Sequence, residues 1–338
     1  MRAKALGIVA AFLLVVAILP ERIAAQPKHF SFESFFVFGD SLADIGNTFI
    51  GSAAVGQPLP TGTYFNRRFT NGPVAFEYLW QLLSGNAPGT PGALRAFLQA
   101  PQLGATGSVN FAFGGTGTPY VDLTPDGVLA PGALGQVELF RLALKGRRPP
   151  KRALYAVVTG ANDYSIHPFN EPMDPADSVA NIAQAVARLY ELGARDIAVL
   201  NLPDLGLVPA NAGNPGAATA LSMLHNTLLA NALNALAASR PNLNLVQIRF
   251  EDVFPLLPPT MDVVTPALDV LFPPGSLPPP YPADFRMSAC LFIDPDTCLP
   301  VPTFDVGDQY AFWDIVHPTT AAHRVLGQHV YQQVIASK

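Results

Sequence analysis

Cysteine is almost missing from this chain, with two in 338 residues, and charge is thin, with Asp, Glu, Lys and Arg together at 13%. Two thiols do not complete a structural zinc site, which takes four ligands. Scarce cations and a formal net charge of -5 exclude nucleic acid as a partner, because phosphate binding needs clustered Lys and Arg. The basic knots are Arg67-Arg68 and KGRRPPKR at 145–152; the second reads as a solvated loop. There is no G-x-S-x-G pentapeptide, which excludes the usual α/β-hydrolase elbow, and Ser41 comes far too early for one. There is no H-E-x-x-H either, and His317 and His323 lie six apart, the wrong spacing for two ligands on one helical face. His323 and His329 read as decoration of the last helix, and His29, His167 and His225 have no recognisable partners.

One long apolar run is present, at the N-terminus. Arg2 and Lys4 precede ALGIVAAFLLVVAIL at 5–19, Pro20 breaks the run, and Ile23-Ala24-Ala25 offers a small-residue cleavage site. Its length falls short of the ~20 residues that span a bilayer, so residues 1–25 are expected to be a signal peptide and the mature chain to be secreted or periplasmic. In that compartment Cys290 and Cys298 most simply form a local disulfide.

What the sequence has in abundance is apolar residues, 49% of the total, enough for a sizeable core. They fall into short β-rich runs at 34–40, 109–115, 153–163, 196–206 and 243–250. Between and after these come helical patterns at 73–83, 133–144, 175–193, 217–239 and 319–337. Asp174 or Asp177 can cap the third helix and Gly193 can close it. Five strands alternating with helices predict a mainly parallel sheet covered on both faces, an α/β/α sandwich. One domain over 30–338 is expected. A Pro-rich insertion at about 255–303 interrupts it, and there Phe254, Leu256, Leu257, Leu271 and Phe272 line an acyl-chain wall or belong to the core.

Polar clusters sit at the strand ends, where open parallel sheets bind ligands: Gly39-Asp40-Ser41, Gly114-Gly115, Gly160-Ala161-Asn162-Asp163, and Asp314-Ile315-Val316-His317-Pro318 before the last helix. Together they supply the parts for acyl transfer. A serine hydroxyl needs a base, which His317 provides. The imidazole needs an orienting acceptor, and Asp314 lies three residues earlier. The oxyanion needs donors: the Ser41 N–H, an N–H from Gly114 or Gly115, and the Asn162 amide. Asp44, Gly46 and Asn47 are expected to shape the turn after Ser41, and Asp163 to orient Asn162.

These blocks, FVFGDSLADIGNT at 36–48, NFAFGG at 110–115, GAND at 160–163 and DIVHPT at 314–319, resemble the GDSL lipase/esterase family of the SGNH hydrolases, in the family's order. The resemblance implies a flavodoxin-like three-layer α/β/α fold and a serine esterase without metal or cofactor. It implies Ser41 as nucleophile, Asp314 and His317 completing a triad, and Gly115 and Asn162 joining Ser41 in the oxyanion hole. The expected partner is a small-molecule or lipid ester, with transient contact at a membrane or lipid surface, and the chain is expected to be a monomer. A non-catalytic lipid- or carbohydrate-binding protein on the same fold and an acyltransferase using the same triad are the alternatives.

Overall fold

SFFVFG folds as β1, Ser34–Gly39, with all of its residues buried, as a strand covered on both faces should be. The structure is a computed structural model that describes residues 32–60, 64–99, 107–165, 171–257 and 311–338. The 1–25 segment, nearly all of 255–303 and both Cys290 and Cys298 lie outside the described residues.

β1 pairs in parallel with β3, Val109–Asn110, and β6, Ala153–Val158, in a register that sets Gly39 opposite Val158. Outward from β6 follow β7, Asp196–Leu200, and β8, Asn244–Ile248. β2, Arg95–Ala96, adds a sixth parallel strand beyond β3, giving the order β2-β3-β1-β6-β7-β8. The expected five strands are therefore joined by one too short to leave a periodic signal. The strands are also shorter than their apolar runs: β3 ends at Asn110 although the run continues to Gly115. A small antiparallel pair, β4 (Asp122–Leu123) and β5 (Leu129–Ala130), stands apart from the sheet.

Side-chain alternation splits β1 between two cores. Phe35 and Val37 pack with α2 (Ala75–Ser84) and α6 (Thr320–Ala336). Phe36 and Phe38 face the other way, onto α3 (Ala133–Leu144), α4 (Pro175–Leu192) and α5 (Pro215–Ala238). There the Phe140 ring sits 5.0 Å from Phe36 and 5.8 Å from Phe38; truncating a ring in such a cluster costs ~3–5 kcal/mol. The sandwich is thus three-layered, and its central strands follow the flavodoxin-like order. Asp174, not Asp177, caps α4, its Oδ1 accepting from the Ala176 N–H at 2.8 Å. Among the described residues no helix is long and apolar enough to cross a membrane.

Several sequence expectations change. His323 is buried, with 1% exposure; it lies on the inward face of α6 and its Nδ1 accepts from the Ala75 N–H of α2 at 3.3 Å. His225 is buried too, and its Nδ1 pairs with the Tyr164 hydroxyl at 2.6 Å. Burial pushes the His323 imidazole down to about 3, with the His317 charge adding to the effect, and His225 down to about 4, so both are neutral core residues. Phe254 and Leu257 join a third core cluster with Leu202, Leu205 and Phe312; Leu256 is exposed; Leu271 and Phe272 lie outside the described residues. Arg68 of the first basic knot is spent on Glu77 at 2.6 Å.

Candidate active site

The strand order reverses direction between β1 and β6, and the crevice at that switch point is where open α/β sheets bind ligands. Ser41 lies there, two residues past β1 and 8% exposed. Gly39 is required on steric grounds, since a Cβ would fall 2.1 Å from the Val158 carbonyl oxygen. Gln136 of α3 grips the same peptide: its Oε1 accepts from the Gly39 N–H at 2.7 Å and its Nε2 donates to the Gly39 carbonyl at 2.8 Å. The chain then turns sharply, the Asp40 carbonyl accepting from the N–H groups of Ala43 and Asp44, both at 3.0 Å.

The polar residues after Ser41 do more than shape a turn. Asp44 Oδ1 accepts from the Gly46 and Asn47 N–H groups, each at 2.7 Å, and its Oδ2 from Thr48 at 3.0 Å and from Gly114 at 3.1 Å. Thr48 Oγ1 also accepts from the Gly114 N–H, at 2.6 Å. Asn47, on α1 (Asn47–Ala53), donates to the carbonyls of Asn110 and Ala112, both at 2.9 Å, and accepts from the Leu98 N–H at 2.9 Å. Asn110 returns the contact, donating to the Ala43 carbonyl at 2.6 Å. This lattice sews 110–114 to the loop carrying Ser41: side chains take the Asn110 and Ala112 carbonyls and the Gly114 N–H, while the Phe111 and Phe113 N–H groups still bond the Val37 and Gly39 carbonyls of β1 at 2.7 and 3.1 Å.

Gly115 follows in the left-handed conformation, φ +78°, where a Cβ would lie 3.1 Å from Thr124 Cβ. Among the described residues, neither the Ser41 nor the Gly115 backbone N–H has an intramolecular acceptor. Asn162 is brought in by one bond, its Nδ2 donating to the Thr116 carbonyl at 3.0 Å, which leaves the second amide hydrogen uncommitted. Asp163 anchors this corner: its Oδ1 accepts from the Thr118 N–H and its Oδ2 from the Thr118 hydroxyl, each at 2.8 Å, and from Ser178 at 2.5 Å.

The last block forms a tight loop closed by a Phe312–Pro318 bridge and a Trp313 N–H bond to the His317 carbonyl at 2.7 Å. Asp314 Oδ2 lies 2.5 Å from His317 Nδ1, and Oδ1 accepts from the Val316 and His317 N–H groups at 2.8 and 2.7 Å. Tyr64 donates its hydroxyl to the same Oδ2 at 2.7 Å. No motif marks this tyrosine; it sits in a loop 250 residues from its acceptor. Phe69 links the loop to the glycines: its ring lies 5.3 Å from the His317 ring, and its Cε2 stands 2.2 Å from where a Cβ on Gly114 would be. In this structure no hydrogen bond joins Ser41 Oγ to His317.

Electrostatics distinguish the carboxyls. Burial pushes Asp40 up to about 7, against the Leu42 N–H and the His317 charge, which pull it down. Burial also raises Asp163, against its bonds from Ser178 and Thr118. For Asp314 burial opposes ionisation, yet the His317 charge and hydrogen bond, with the Tyr64 and Val316 donors, hold it below the ordinary carboxylate range. Among the described residues no three His, Cys, Asp or Glu side chains gather as metal ligands. Beside the glycines, a groove of about 390 Å³ is lined by residues that include Thr48, Phe113, Thr124 and Val128. A larger trough of about 740 Å³ between α5 and the β7–β8 side of the sheet includes none of Ser41, Asp314 or His317 in its lining.

A family model described as GDSL-like Lipase/Acylhydrolase matches residues 35–330. A GDSL esterase/lipase of Arabidopsis thaliana is 26% identical over 329 residues, 88% of this chain and 89% of the relative. The phosphatidylcholine-sterol acyltransferase of Aeromonas hydrophila is 29% identical over 231 residues, 67% of this chain and 62% of the relative. Among solved structures, an acetyl xylan esterase from Geobacillus stearothermophilus aligns with a TM-score of 0.43 and 16% identity, over 90% of this chain and 95% of that one.

Proposed function

The chain belongs to the GDSL-like lipase/acylhydrolase family and is a carboxylic ester hydrolase, and from this premise we propose that it cleaves acyl esters through an acyl-serine at Ser41. The observation that carries the reading is the Asp314–His317 hydrogen bond of 2.5 Å. It fixes Nδ1 as the protonated nitrogen and turns Nε2 into the acceptor a serine hydroxyl needs. Ser41 Oγ attacks the ester carbonyl and its proton passes to His317 Nε2. The Ser41 and Gly115 N–H groups and the Asn162 amide receive the oxyanion. Collapse expels the alcohol, which takes the proton back from His317. Water then repeats the sequence on the acyl-serine, releasing the acid and restoring Ser41. Tyr64 positions Asp314 without touching the substrate.

A fluorophosphonate probe should label Ser41 of the wild-type protein and leave Ser41→Ala unlabelled. Hydrolysis of p-nitrophenyl butyrate should fall by several orders of magnitude in Ser41→Ala and His317→Ala at nearly unchanged melting temperature. A folded wild-type protein that neither labels nor turns over would be a binding module on this fold. The acyltransferase relative supports a second fate for the same intermediate, attack by an alcohol in place of water; adding an alcohol acceptor and measuring the new ester tests it. Export follows the same reading of the N-terminus, and N-terminal sequencing of the mature protein should begin near Gln26.

A further inference from the structure

We infer that His225, deep in α5, is a positioning residue for the oxyanion hole, acting through Tyr164 on the Asn162 amide. The inference rests on the acyl-serine reading and adds what aims its side-chain donor. Asn162 opens a single 3₁₀ turn, Asn162–Tyr164, too short to hold its own shape. Among the described residues its side chain is held by one bond, to the Thr116 carbonyl, so the turn must be fixed through its other two residues. Asp163 ties it to Thr118 and to Ser178 of α4. Tyr164 ties it to α5: its hydroxyl meets His225 Nδ1 at 2.6 Å, and the two rings stand edge to face, 5.7 Å apart with 84° between their planes.

His225 touches the other end of the same block. Gly160, where the chain leaves β6, has φ +116°, and a Cβ there would lie 3.1 Å from His225 Cε1. One imidazole thus braces the block at 160 and at 164, with Asn162 midway. Stability alone would choose another residue. His225 is 0% exposed, on a face of α5 that it shares with Ser222, Leu229 and Leu233, where a leucine would extend the core. Among the described residues its Nε2 is buried without a hydrogen-bond partner, and such a group is destabilising. Packing does not account for an imidazole there; the bond to Tyr164 does. The direction of the second Asn162 amide hydrogen follows from where Tyr164 is held.

Tyr164→Phe removes the hydroxyl alone, and His225→Leu removes the imidazole while filling its place. Each should lower kcat for p-nitrophenyl butyrate about tenfold with KM within about twofold of wild type, because an oxyanion donor acts only once charge forms. His225→Asn, whose amide sits near the place of Nδ1, should recover most of the rate. Fluorophosphonate labelling and the melting temperature show which variants are folded, and Tyr164→Phe suffices should His225→Leu not fold. The deciding step is a double-mutant cycle: in an Asn162→Ala background, Tyr164→Phe should lower kcat by less than about twofold further. The full loss in that background would place the effect elsewhere and overturn the inference, as would an undiminished kcat in Tyr164→Phe. Asn162→Ala with the wild-type kcat would remove Asn162 from the oxyanion hole, and the inference with it. A wild type that never labels would defeat the acyl-serine reading itself, a different failure.

Discussion

Asn47→Ala should both destabilise the protein and disable its proposed oxyanion hole. Asn47 is fully buried, and three hydrogen bonds of 2.9 Å end on its amide. Net, each such bond contributes ~1 kcal/mol, but cutting them strands the Asn110 and Ala112 carbonyls and the Leu98 N–H, at ~1–3 kcal/mol per buried group. A methyl group cannot replace any of the contacts. With partial relaxation the loss comes to about 3–5 kcal/mol. At ~2–4 °C per kcal/mol for a domain of this size, the melting temperature drops by roughly 6–20 °C. Calorimetry reads that number directly.

The second half of the prediction separates a positioning residue from a purely structural one. The segment released by the substitution leads straight into Gly114 and Gly115. Losing a full oxyanion donor costs ~3–4 kcal/mol in the barrier; displacing one should cost less, about 10–100-fold in kcat. The rate is to be measured at 20 °C, well below melting, with KM determined alongside. A melting temperature within 2 °C of wild type would refute the stability reasoning. A variant that melts early but keeps its kcat would show that the lattice holds the fold and not the oxyanion site.

Tyr64→Phe removes the 2.7 Å bond to Asp314 Oδ2 and should lower kcat about tenfold with little change in KM, and, because bonds to charged groups contribute ~1.5–3 kcal/mol to stability, lower the melting temperature by several degrees; an unchanged kcat would show that His317 and the Val316 N–H orient the carboxylate without it. Gly39→Ala forces a Cβ to within 2.1 Å of the Val158 oxygen and should yield insoluble protein or lose more than ~4 kcal/mol in urea unfolding. Asp40, raised to about 7, stays protonated in the folded chain where the unfolded chain is ionised, so its contribution is complete at low pH and is lost as pH climbs through about 7. Asp40→Asn should therefore gain on wild type by ~3 kcal/mol between pH 5 and pH 8.5 in urea unfolding; a pH-independent difference would refute that burial.

Much of this was readable because the signals were local. Continuous apolar runs gave the five main strands, and helical spacing gave the main helices to within about two residues. The four polar blocks were visible because each follows an apolar run or precedes a helix. What escaped depends on contacts distant in sequence. Tyr64 has meaning only once the loop after α1 meets the loop before α6. Asn47 and Asn110 look like turn formers until β1 and β3 pair. The buried histidines were legible and were misread: His323, Leu326, Gly327, Val330 and Val334 share one helical face, as do Ser222, His225, Leu229 and Leu233, and those faces pack inward. In both cases the apolar periodicity carried more information than the chemistry of the imidazole.

Three of the carboxyls around the proposed chemistry are buried alike, Asp40 at 2%, Asp163 at 3% and Asp314 at 5% exposure, so burial alone cannot assign their roles. Their partners do. Asp163 is bound by neutral hydroxyls and an amide, and Asp40 accepts from the Leu42 N–H at 3.0 Å; burial wins at both and favours the protonated form. Asp314 faces an imidazole at 2.5 Å, and there charge wins. The division suits acyl transfer. An oxyanion forming next to the Ser41 N–H would be opposed by a carboxylate one residue away, and a proton on Asp40 removes that opposition. An imidazolium forming at His317 needs one fixed anion at its far nitrogen, and Asp314 supplies it. Environments that push like groups apart are how a single cleft runs both halves of an acid–base reaction.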